Sequence, residues 1–88
     1  MENVDVDSLL GLLKLVLDFG GRAPLSDLAK SLHLTLDELY HVLDAAANLG
    51  ALKVQDGQVA LTRRGLELLR MRFGDIHHML KLRIEELQ

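Results

Sequence analysis

Apolar residues recur along this chain at two spacings, and the switch between them marks out its elements. From Leu9 to Phe19 they are dense: Leu9, Leu10, Leu12, Leu13, Leu15, Val16, Leu17 and Phe19, interrupted by Gly11, Lys14 and Asp18 alone. Wound as a helix, those three residues form a narrow polar strip. The apolar arc then covers roughly 220°, where about 100° serves one core face. Asp7 or Ser8 suits the start of this helix, and Gly20-Gly21 suits its end. Arg22-Ala23-Pro24 follows as a short extended segment, because proline drives the residue before it toward the β region. Ser26 is placed to cap a brief second helix, Asp27 to Leu32, with Leu28 and Leu32 inward and His33-Leu34 turning out of it. Thr35-Leu36-Asp37-Glu38 is a capping box, which opens a third helix from Leu36 to Leu49. Its inward stripe is Leu36, Leu39, Val42, Leu43, Ala46 and Leu49, and Gly50 stops it.

After Gly50 the period drops to 2. Leu52-Lys53-Val54-Gln55 and Gln58-Val59-Ala60-Leu61 alternate on either side of Asp56-Gly57, a strong two-residue hairpin signal. Thr62 then caps a fourth helix with Leu66, Leu69 and Phe73 inward. Gly74-Asp75 reads as a kink or restart. Beyond it, Ile76, Leu80, Ile84 and Leu87 form a stripe about 80° wide, closer to a helix-pairing seam than to a core face. The fold these elements spell is mainly α with a small β-hairpin: a winged helix-turn-helix with an extended C-terminal helix. Residues 1–74 are the winged-helix domain. Residues 75–88 are the C-terminal helix, the expected dimerisation element.

Length and charge narrow the function. Eighty-eight residues hold one domain and leave no room for a second lobe within the chain. Cysteine is absent, which removes disulfides, thiolate catalysis and thiolate zinc sites. Leucine supplies 22 residues, yet only Phe19, Tyr40 and Phe73 are aromatic, so few rings are offered for base stacking. The longest apolar stretch, Leu9 to Leu17, is broken by Lys14 and falls short of the roughly 20 residues a membrane span needs. The start, Met1-Glu2-Asn3-Val4-Asp5, is acidic, unlike an export signal, and the expected location is cytoplasmic.

The net charge of −3 is unevenly placed. Residues 1–58 carry four basic and nine acidic residues, net −5, and residues 59–88 carry six basic and four acidic, net +2. The third helix, which reads DNA in regulators of this fold, turns Asp37, Glu38, His41, Asp44, Ala45 and Asn48 outward. Carboxylates set against phosphates oppose the charge neutralisation on which DNA affinity rests. Asp37, Glu38, His41, Asp44 and Asn48 are therefore read as a partner-docking face, with DNA contact as the alternative. Arg63, Arg64, Arg70 and Arg72 make a basic run on the fourth helix. It is either a docking patch for an acidic partner or a solvated helix face.

Catalytic chemistry is poorly represented. There is no Ser-His-Asp set and no glycine-rich phosphate loop, and Ser8, Ser26 and Thr62 serve as caps. His41 has metal-ligand spacing to Asp37 and Asp44, but a pair of such ligands is an accidental site at best. His77 and His78 are adjacent and point about 100° apart, so one helix cannot chelate through both. No metal or cofactor is expected, and the chain reads as no enzyme. A third reading, metal or small-ligand sensing through His41 or His77, has only these histidines behind it. The surplus of apolar surface is the larger anomaly, because exposed apolar patches mark interfaces. A homodimer is the expectation, formed through Leu10, Leu13 and Leu17 of the first helix and Ile76, Met79, Leu80, Arg83, Ile84 and Leu87 of the last.

Several short segments also resemble a known family. They are Val6-Asp7-Ser8-Leu9-Leu10-Gly11-Leu12-Leu13, Gly20-Gly21, Asp27-Leu28-Ala29, Leu36-Asp37-Glu38-Leu39, Asp44-Ala45-Ala46 before Leu49-Gly50, then Val54, Gly57 and Leu61-Thr62 with Gly65. In this order they resemble the AAA-associated C-terminal domain. That domain follows the ATP-binding subunit of nitrate/sulfonate/bicarbonate-type ABC transporters. The resemblance implies a cytoplasmic accessory or regulatory module with an ABC transporter subunit as its partner. It brings no catalytic residues, and no ATP-binding motif stands in this chain to be assigned. The reading is a non-catalytic, self-associating winged-helix interaction module. The alternative is a dimeric winged-helix transcription regulator that binds DNA.

Overall fold

The computed structural model of the chain describes residues 6–73. Its elements run α1 (Val6–Asp18), β1 (Arg22–Pro24), α2 (Leu25–Leu32), α3 (Leu36–Asn48), β2 (Leu52–Gln55), β3 (Gln58–Leu61) and α4 (Arg63–Phe73). The described chain is mostly helical, with one small antiparallel sheet in the order β1-β3-β2. This is the winged-helix arrangement expected from the residue pattern. The expected C-terminal helix, with Ile76, Met79, Leu80, Arg83, Ile84 and Leu87, lies outside the described residues, as does the expected kink at Gly74-Asp75.

The hairpin sits where its turn chemistry puts it. Asp56 and Gly57 both adopt positive φ, 54° and 75°, the pair of left-handed residues that a tight hairpin turn requires. The resulting register pairs Leu52 with Leu61, Val54 with Val59 and Gln55 with Gln58. On the other edge of β3, Ala23 pairs with Val59 and Arg22 with Ala60. That third strand ties the first loop of the chain to the wing.

α1 is the central helix. It packs against α2, α3, α4, β1 and β3 and buries Leu12, Leu13, Val16 and Leu17 among them. Leu28 of α2, Leu39, Leu43 and Ala46 of α3, Leu52, Val59 and Leu61 of the hairpin, and Leu69 of α4 complete the core. Each fully buried leucine removes enough apolar area from water to contribute about 1.5–3 kcal/mol against exposure. Contrary to expectation, Leu13 and Leu17 offer no surface for self-association. They are 0% and 1% exposed, because five neighbouring elements surround α1; of the wide arc, Phe19 just beyond the helix stays open at 42%. Leu10 is half-buried against the same core.

Two helix starts differ from the residue-based reading. α1 is already helical at Val6, so Asp7 and Ser8 lie in its first turn and are not its cap; Asp7 still sits near the positive end of the helix. α2 begins at Leu25, two residues before the position that Ser26 implied, and its N-cap is Pro24 with no side-chain cap bond. The reason is tertiary. The Leu25 N–H donates to the carbonyl of Gly57 in the hairpin turn at 3.0 Å, so this backbone donor is satisfied without a capping hydroxyl.

The helix ends share one device. Gly21 N–H donates to Val16 O, Leu34 N–H to Ala29 O and Ala51 N–H to Ala46 O, each at 2.9–3.0 Å. These six-to-one bonds close α1, α2 and α3 in the Schellman manner. At the end of α2 the left-handed position is held by His33, φ 57°.

Candidate functional site

α3 presents the surface that a DNA reader would insert into the major groove. Its placement starts with a complete capping box. The Thr35 hydroxyl accepts from Glu38 N–H at 3.2 Å, and the Glu38 carboxylate accepts from Thr35 N–H at 2.9 Å. The bond from Thr35 N–H, and after it the Thr35 hydroxyl beside the carboxylate, hold the Glu38 carboxyl below the ordinary glutamate value of 4.5. A lowered folded value means that this carboxylate stabilises the helix start above the ordinary glutamate range. That contribution is lost as pH falls through the folded value. Glu38 thus acts first as a helix cap, and its charge is turned toward its own backbone.

The other four residues of the expected face, Asp37, His41, Asp44 and Asn48, are all exposed. At helical spacing they fall within an arc of about 60°, one above the next. Beside this polar line stand two large apolar side chains, Leu36 at 51% exposure and Tyr40 at 45%. The helical stripe places Leu36 and Leu49 inward, but both are about half exposed. Leu36 is the first residue of α3, and Leu49 caps its end just past Asn48. The inward stripe proper is Leu39, Leu43 and Ala46, with Val42 half-buried. The exposed side of α3 therefore combines a line of carboxylates with an apolar edge, which the charge pattern alone did not show.

α4 is anchored at its first turn. Thr62 is fully buried, and its hydroxyl donates to the carbonyl of Gly50 while accepting from Gly65 N–H at 3.1 Å. Thr62 N–H donates to Ala51 O at 3.1 Å. Gly65 lies so close to this turn that a Cβ there would collide with the Ala51 carbonyl oxygen and the Leu61 side chain. The Leu49–Ala51 turn is consequently clamped against the start of α4.

The basic run does not form one patch. Arg63 and Arg70 stand two turns apart on one side of α4, Arg64 lies about 100° round the helix, and Arg72 lies on the opposite side from Arg63. Arg72 Nη2 approaches Asp7 Oδ1 at 3.6 Å, joining the end of α4 to the start of α1. What α4 does gather is a strip that the residue pattern did not single out. Leu49, Arg64, Glu67, Leu68 and Met71 line an open depression of about 290 Å³. Met71 is 82% exposed, the most open of the large apolar side chains described.

Among the described residues, no group of three His, Cys, Asp or Glu side chains is placed to hold a metal ion. His41 with Asp37 and Asp44 remains an exposed line of polar residues on a helix. No described helix is long and apolar enough to cross a membrane.

A family model for the C-terminal AAA-associated domain matches residues 26–88, from α2 through the end of the chain. The chain belongs to that family. The family is one of accessory domains of ABC ATPases. The match begins at Ser26, so α1 and β1 precede it, although the segments that carry the resemblance begin at Val6. Within the matched region the domain's Thr62 and Gly65 have the structural task described above, as clamp and close-approach point. Neither the curated proteins nor the solved structures compared gave a match.

Proposed function

We propose that this chain is a non-catalytic interaction and regulatory module that works in the cytoplasm with the ATP-binding subunit of an ABC transporter, and that it self-associates. The observation that carries the reading is the exposed face of α3. Asp37, His41, Asp44 and Asn48 form a polar line beside Leu36 and Tyr40. Such a face suits a partner that offers basic side chains around an apolar recess, where an aromatic ring can serve as an anchor. It does not suit a phosphate backbone, since a nucleic-acid contact needs cations at the positions these carboxylates occupy. Family membership supports the kind of partner.

The test is a calorimetric titration of the full chain with the ATP-binding subunit, beside a DNA mobility shift at low and physiological salt. Binding to the subunit is expected, weakened about tenfold or more by Tyr40→Ala, as an interface anchor should be. Absence of binding, or binding untouched by Tyr40→Ala and Asp44→Lys together, overturns the proposed face. Sequence-selective DNA binding at physiological salt overturns the reading in favour of a winged-helix regulator.

A further inference from the structure

We infer that the strip formed by Leu49, Arg64, Glu67, Leu68 and Met71 is the surface on which a second copy of this chain docks, around a two-fold axis. The inference rests on the self-association proposed above and gives it a location among the described residues, on the outer side of α4 rather than at Leu13 and Leu17 of α1.

The strip has a direction that follows from the clamp at the start of α4. Thr62 and Gly65 hold the Leu49–Ala51 turn against the first turn of that helix. Leu49 therefore stands at one end of the strip, Arg64 and Glu67 follow, then Leu68, and Met71 stands at the other end. A two-fold axis lays one strip antiparallel on its copy, so that each contact occurs twice. With the axis between Arg64 and Glu67, Arg64 meets Glu67 of the second copy and Glu67 meets its Arg64. The same operation carries Met71 to the end where Leu49 of the second copy lies. Apolar meets apolar at both ends, and opposite charges meet in the middle. A strip with two like charges, or with its apolar groups at one end only, would lack this self-complementarity. Met71 suits the role, since an unbranched thioether adapts to an irregular recess.

The occupant is thus a second copy of the chain, and charge exchange provides the test. Sedimentation of the full-length chain at tens of micromolar should show a dimer. Met71→Asp and Leu49→Asp should shift it to monomer with unchanged circular dichroism. Arg64→Glu and Glu67→Arg, each alone, should weaken the dimer by about tenfold, because each sets like charges opposite one another. An equimolar mixture of these two variants should restore it. The carboxylate introduced by Arg64→Glu in one chain then faces the guanidinium introduced by Glu67→Arg in the other, and the second contact keeps its native Glu67 and Arg64. A wild-type chain that stays monomeric overturns both this surface and self-association itself. A wild-type dimer indifferent to Met71→Asp and to both charge variants overturns the surface alone and leaves self-association standing. A dimer broken by Met71→Asp whose charge variants fail to complement each other overturns the two-fold pairing.

Discussion

α1 and α4 lie against each other, yet they dispose of their apolar residues in opposite ways. α1 is the more hydrophobic helix, and most of it is absorbed: Leu12, Leu13, Val16 and Leu17 are buried, Leu9, Leu10 and Leu15 pack half-buried against the core around them, and Val6 in the first turn stays open. α4 has fewer apolar residues; it buries Leu69, packs Leu66 and Leu68 half-buried against the same core, and leaves Met71 open. The difference is position. α1 is contacted from five elements and needs apolar side chains on most of its circumference, whereas the extensive described contacts of α4 are with α1 alone. A wide apolar arc therefore reports how many neighbours a helix has. Surface left for another molecule is found on the peripheral helix, where a single exposed methionine says more than a crowded run of leucines.

The largest effect separating the two helices should come from truncating one side chain in each. Leu13→Ala is expected to cost about 2–5 kcal/mol of unfolding free energy, because it removes transfer energy and leaves a cavity that the surrounding elements cannot close. Met71→Ala should change the stability of the isolated chain by no more than about 0.5 kcal/mol, as an exposed substitution does. Chemical denaturation of both variants at concentrations too low for self-association checks this. Equal losses would mean that Met71 is packed in the chain's own core and that the contrast between the helices is false.

The next effect concerns how α4 is held at all, given how little of it is buried. Its start substitutes for a broad apolar face. Gly65→Ala drives a methyl group into the Ala51 carbonyl, which is backbone and cannot swing aside. Thr62→Val keeps the shape and removes a buried hydroxyl that both donates and accepts. Leaving those backbone partners unsatisfied should cost about 1–3 kcal/mol. Gly65→Ala should match or exceed that, since relief requires the helix to move off the turn. Thermal unfolding, with hydrogen exchange at α4 amides, is the measurement. Exchange should rise in α4 before it rises in α1, and a uniform rise across both would count against a clamp confined to α4.

Local chemistry is legible in the residues, and neighbourhood is not. The Asp56-Gly57 turn sets the hairpin register, and Thr35 with Glu38 locates the start of α3, because both signals are complete within four residues. The fold class follows from the order of such signals. Ser26 misplaces the start of α2 because the first N–H of that helix is satisfied by Gly57, more than thirty residues away in sequence. Leu36 and Leu49 look inward because a helical stripe is a property of one helix, while burial stops where the neighbouring elements stop. For the same reason Leu13 and Leu17 look like surplus. The carboxylate line on α3 is visible as charge, but Tyr40 and Leu36 beside it give no sign of their exposure. The strip from Leu49 to Met71 depends on residues of two elements brought together by the Thr62 clamp, and no spacing in the sequence encodes that contact.

The smallest effect should come from the ion pair between the two helices. Arg72 and Asp7 approach at 3.6 Å, with side chains 58% and 78% exposed. A pair this open gains little, because water screens the attraction and two side chains lose freedom to form it. A double-mutant cycle with Asp7→Asn and Arg72→Gln should give a coupling of about 0.2–1 kcal/mol, toward the lower end. The coupling should shrink further in molar salt, where the screening length falls to about 3 Å. A salt-resistant coupling well above that range would mean that α1 and α4 are joined electrostatically as well as through leucine. The contrast between an absorbed helix and a peripheral one would then have to be redrawn. A small, salt-sensitive value leaves the apolar contacts and the Thr62–Gly65 clamp as what fixes α4, and leaves its outer side to a partner.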